Sequence, residues 1–73
     1  MQTTPVKLLD VVALLVDKPE EGLGVGQVGT VVEVLAPDAY EVEFLDSKGK
    51  TIAVTELKRA DLLLLQHEPV MAA

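Results

Sequence analysis

The chain has no cysteine and no tryptophan, a single histidine (His67), a single serine (Ser47) and only two aromatic side chains, Tyr40 and Phe44, in 73 residues. Without cysteine there are no disulfides or thiolate metal sites, and one histidine cannot supply a structural zinc centre. Basic residues are also scarce. Six Lys and Arg stand against twelve Asp and Glu, for a formal net charge of −6. That balance repels phosphate backbones and offers no basic amphipathic segment to an anionic bilayer. No nucleic acid and no membrane is therefore expected as a partner. The longest apolar run covers residues 11–16, well short of the roughly 20 residues of a membrane-spanning helix. The opening MQTTPVK lacks a signal-peptide core, and a cytoplasmic bacterial protein is the expectation.

What is present is apolar: 49% of the residues are hydrophobic, a high share for a chain whose size leaves much of it at the surface. The length fits one domain, and below roughly 70–80 residues a single core rarely supplies more than about 3–5 kcal/mol. With disulfides and metal sites excluded, oligomerisation is the supplement left open. One ordered unit is expected over residues 6–66, with tails at 1–5 and 67–73.

Within that unit the valine content of residues 8–16 favours a buried strand, with a helix as the alternative by spacing. Residues 17–26 (DKPEEGLGVG) form a loop punctuated by proline and glycine. A valine-rich strand over 27–35, a turn at Ala36-Pro37-Asp38-Ala39 and an alternating strand over 40–45 make a hairpin. Ser47-Lys48-Gly49 turns into a strand over 50–55, residues 56–61 suit a single helical turn, and 62–66 close the fold. The pattern describes an all-β fold, a small five-stranded SH3-like barrel with one short helical turn near the C-terminus. Val12, Leu14, Val32, Val34, Tyr40, Val42, Phe44, Ile52 and Leu57 are expected in its core.

The stretches KLLDVVALLVDKPEEGLGVGQVGTVVEV, AYEVEF and TELKRADLLLL resemble a family of short uncharacterised bacterial proteins, known as a domain of unknown function. The resemblance covers residues 7–65, and Pro19, Gly22, Leu23, Gly26, Gly29 and Val31 are its most specific elements. Residues 26–34 (GQVGTVVEV) also resemble the glycine-and-valine core of a KOW motif, an SH3-like element of ribosomal proteins and transcription factors. The lysines and arginines with which those proteins hold RNA are missing from this segment.

Motifs that suggest chemistry have plainer structural explanations. Gly24-Val25-Gly26-Gln27-Val28-Gly29 spells the dinucleotide fingerprint, yet TVVEVLAP follows where the mechanism needs a helix N-terminus. No cofactor is expected. His67 lies in the expected tail, where no nucleophile or substrate is positioned for a base, and Ser47 belongs to a turn. Tyr40 and Phe44 share a strand face with Val42 and are expected in the core, which leaves no aromatic groove for peptides or bases.

The most informative polar residues are Glu33, Glu41 and Glu43. Alternation places them on the outward hairpin face with Glu33 across from Glu43. Either they are a solvated face that deters aggregation or they dock a basic partner, with Val31, Leu35 and Leu45 supplying apolar contacts. A metal site is not expected, because a flat strand face lacks the loop carbonyls such sites use. Self-association is expected from the run Leu62-Leu63-Leu64-Leu65 together with Val11 and Leu15, since a strand sends successive side chains to opposite faces. The expected role is a small non-catalytic interaction module that self-associates and binds another protein, for which its acidic balance suits a basic one. Two alternatives stand beside it: an accessory or regulatory subunit of an enzyme, and an antitoxin or immunity-like protein that neutralises a basic toxin.

Overall fold

The computed structural model describes residues 5–65, and they are all-β. Strands β1 (Val11–Leu14), β2 (Val28–Ala36), β3 (Ala39–Leu45), β4 (Thr51–Lys58) and β5 (Leu62–Leu64) form one antiparallel sheet in the order β4-β3-β2-β1-β5. Short 3-10 turns at Pro19–Glu21 and Arg59–Asp61 precede β2 and β5. No helix among the described residues is long and apolar enough to cross a membrane.

Local chemistry sets the boundaries. Residues 8–16 are a strand only over Val11–Leu14, because Asp10 closes a tight turn: Lys7 N donates to Asp10 Oδ2 at 2.8 Å and Asp10 N donates to the Lys7 carbonyl at 3.0 Å. Leu9, inside this turn, has φ 71°, the left-handed region that a leucine seldom adopts. Pro37 and Asp38 form the two-residue link between the paired Ala36 and Ala39, and the Tyr40 hydroxyl donates to the Pro37 carbonyl at 3.2 Å. At the next turn Asp46 Oδ1 accepts from Lys48 N at 2.8 Å and from Lys50 N at 2.9 Å, the local side-chain capping that makes Asp a turn former.

One face of the sheet carries the core. Val12, Leu14, Val31, Tyr40, Val42, Phe44, Leu57 and Leu62 pack into one cluster, joined by Val6 from the entry segment and Leu23 from the 17–26 loop. Leu57 and Leu62 sit on the two outermost strands of the sheet order, so the sheet curls to bring its ends over a shared interior. Leu23 is held by a reciprocal backbone pair with Lys18, at 2.9 and 3.0 Å, which folds the loop against that interior.

The β2–β3 pairing departs from strict alternation. Val31 faces Val42 and Glu33 faces Glu41, which leaves Val32 as an extra residue in β2, and a second shift leaves Leu35 extra before Ala36. Three expected core residues are therefore at the surface. Val32 is pushed out by the bulge to 38% exposure and Val31 takes its place inside. Val34 lies opposite Tyr40, but at the distal end of the hairpin, where residues 32–38 are all exposed. Ile52 is displaced by a shift in the β3–β4 register, between the pairs Leu45 with Thr51 and Phe44 with Ala53. A further boundary also moves: β4 runs to Lys58, beyond the expected residue 55, because Leu57 pairs with Tyr40 on the core face.

Candidate interaction surface

The outward face of the sheet divides into an apolar part and an acidic part. On β1, Ala13 is flanked by Val28 of β2 on one side and Leu63 of β5 on the other. These neighbours leave Ala13 only 7% exposed although it points away from the core, while Val28 and Leu63 themselves remain exposed. One step along the same face Val11 pairs with Thr30, and Leu65 N donates to the Val11 carbonyl at 3.0 Å. At the other end of β1, Leu15 N donates to the Asp61 carbonyl at 2.8 Å, and the leucine side chain is exposed. Val11, Leu15, Val28, Leu63 and Leu65 thus line one continuous strip across three strands.

Of the residues expected to self-associate, Val11, Leu15, Leu63 and Leu65 lie on this strip. Leu62 and Leu64 do not: Leu62 is fully buried and Leu64 packs against the core. Strand alternation sends the leucines to opposite sides, and burial of Leu62 selects which pair turns outward. Val28 is an addition to the set. Its alternation with Gly29 and Thr30 was the available signal, masked by the glycine motif in which it sits.

The acidic part is arranged differently from its sequence expectation. Glu33 stands opposite Glu41, not Glu43, because the link at Pro37-Asp38 is only two residues and Leu35 is an extra residue in β2, which together move its partner by two. Glu41 in turn faces Glu56 on β4, so three carboxylates form a row across β2, β3 and β4. Glu43 occupies the neighbouring row, between Thr30 and Val54, and its Oε2 accepts from the Thr51 hydroxyl at 2.8 Å. Glu56 went unnoticed in the sequence because it falls where a helical turn was expected. The alternation of TIAVTELK carried the missing information. Among the flanking apolar residues, Leu35 and Leu45 are exposed, whereas Val31 is fully buried against Val42 and offers no surface. Among the described residues no group of three or more His, Cys, Asp or Glu side chains is placed to hold a metal ion.

The glycine motif leads into a strand. Gly26, at φ 90°, turns the chain into β2 and Gly29 lies within that strand. A Cβ on Gly29 would stand 2.8 Å from ring carbons of Phe44 and 2.8 Å from the Glu43 carbonyl oxygen, so this glycine makes room for an aromatic ring, not for a pyrophosphate. His67 lies outside the described residues.

A family model described as a domain of unknown function (DUF4926) matches residues 8–64. No curated protein and no solved structure matches the chain.

Proposed function

Because the chain belongs to the DUF4926 family, a domain of unknown function, we propose its role from its surfaces: a non-catalytic protein-interaction module that self-associates through one part of its outer face and binds a basic protein through another. The observation that carries this reading is the division of that face, with Val11, Leu15, Val28, Leu63 and Leu65 exposed together on β2, β1 and β5 and at the ends of the latter two, and Glu33, Glu41 and Glu56 aligned on β2, β3 and β4. Contiguous apolar surface on so small a domain is costly to leave in water, and a second copy meeting it about a two-fold axis would cover both strips at once. The linear strand order with a helical turn before β5 favours an SH3-like barrel for the module, and the cytoplasm is the compartment in which we place it.

Sedimentation velocity of the wild type and of Leu63→Lys tests the first half. A reversible dimer for the wild type and a folded monomer for the variant are expected. A wild type that stays monomeric at high micromolar concentration removes self-association from the reading. For the second half, the partner captured from the native host should be basic, and its association with Glu41→Gln/Glu43→Gln protein should be slower at low salt. An unchanged association rate leaves the carboxylates as a solvated face only.

A further inference from the structure

We propose that the outer edge of β4 accepts an extended segment of a basic protein as a sixth strand of the sheet. The proposal rests on the basic-partner reading above and adds to it a place, a geometry and a sequence pattern.

The edge follows from the ladder. Among the described residues β4 pairs with β3 alone and stands at one end of the sheet, while the other end is the three-residue strand β5. Short edge strands resist pairing with foreign chains, and long regular ones invite it. β4 has eight residues, no proline, and a continuous register from Ala53 to Lys58 beyond its one irregularity.

The hydrogen-bond alternation identifies which groups are presented. Leu14 N donates to the Gln27 carbonyl and Val31 N to the Asp10 carbonyl. These bonds bracket the Val12–Gly29 pair, so Gly29 directs its backbone groups towards β1. Thr30 and Glu43 then bond each other, and Val54, opposite Glu43, directs its N–H and C=O away from β3. Glu56 does the same two residues on. The outward-pointing backbone groups of β4 are thus on the residues whose side chains lie on the outer face.

Charge complementarity selects the occupant. The row Glu33, Glu41, Glu56 ends at this edge, so the next position in the row is the cross-strand neighbour of Glu56 on the added strand. A lysine or arginine there meets the carboxylate of Glu56 with that of Glu41 one strand further in. Two residues later in an antiparallel segment an apolar side chain meets Val54, which is exposed. The pattern that fits is basic-x-apolar in an extended strand. A second copy of this chain fits less well: the only cation of β4 is Lys58, whose backbone N already donates to Asp61 Oδ2 at 3.2 Å and is not free for the pairing that would set it against Glu56, and every other register brings no cation to the row.

The test uses the full chain and a capped peptide that alternates lysine and valine on one face with threonine on the other. At saturation the peptide should slow hydrogen exchange at the Val54 and Glu56 amides by about tenfold or more, as for donors newly bonded in a sheet. The amides of Ala53 and Thr55, already in the β3 ladder, should change little. Val54→Pro removes one outward donor and keeps the ladder, and should weaken the peptide about fivefold, the worth of one hydrogen bond. Should that variant fail to fold, a peptide N-methylated at the amides facing β4 makes the same comparison on unaltered protein.

No detectable binding of the peptide, unprotected Val54 and Glu56 amides, or equal affinity of the N-methylated peptide overturns the edge. If Glu41→Gln/Glu43→Gln still slows peptide association in the last two cases, the charged face survives without strand addition. Protected amides with an association rate indifferent to Glu41→Gln/Glu56→Gln would keep the edge and remove the acidic face.

Discussion

Two single residues carry unusual backbone demands, in opposite senses. Gly29 has no spare space, since a methyl group there would meet the Phe44 ring and the Glu43 carbonyl oxygen at 2.8 Å, the latter a backbone atom. Gly29→Ala should destabilise the domain by about 2–4 kcal/mol through overpacking and ladder distortion, visible as a large loss of midpoint in urea unfolding. Leu9, by contrast, holds φ 71° with its side chain mostly exposed. Replacing it by Asn, which tolerates this conformation, should stabilise by up to about 1 kcal/mol and raise Tm by several degrees. A lower Tm for Leu9→Asn would mean that the exposed leucine contributes more than its backbone costs.

At the scale of elements, adjacent leucines of β5 do different work. Leu62 is completely buried in the core cluster, so Leu62→Ala should cost about 2–4 kcal/mol. Leu63→Ala should cost the monomer less, about 1 kcal/mol, because its side chain faces away from the core and shields only Ala13, and should in addition weaken self-association. Chemical denaturation at low concentration, where the monomer dominates, separates the two effects. On the β2–β3–β4 side, Glu41 stands between Glu33 and Glu56. Glu41→Gln should raise stability by up to about 1 kcal/mol through relief of like-charge pairs, an effect that fades with added salt. A destabilised Glu41→Gln protein would show that the row is stabilised by something other than its Coulomb energy.

For the whole molecule, two binding modes respond to salt with opposite signs. Each copy carries a formal net charge of −6, so self-association through the apolar strip works against charge repulsion and should strengthen as salt rises. Capture of a basic partner works with that charge and should weaken as salt rises, mainly in its association rate. Sedimentation velocity and stopped-flow binding over the same salt series would measure both. A dimer that dissociates as salt is added would point to ion pairs across its interface and away from the Val11, Leu63 and Leu65 strip.

The sequence by itself determined the class of fold, the five strands with their turns at Pro37-Asp38 and Ser47-Lys48-Gly49, and the inward placement of Tyr40, Val42 and Phe44. All of these are written locally, in turn chemistry and in two-residue alternation. It also marked the leucine run as two-sided, without saying which pair turned inward. Tertiary structure decided what depends on the relation between strands. The extra residue at Val32 moved Val31 into the core, the two-residue link and the extra Leu35 set Glu33 against Glu41, and the continuation of β4 added Glu56 to that row. A bulge keeps each strand's composition and changes only its partner, so no local pattern announces it. Leu62 likewise turns inward because the curled sheet brings β5 over the interior it shares with Leu57, a choice made by packing between the two ends of the sheet, which β4 and β5 occupy.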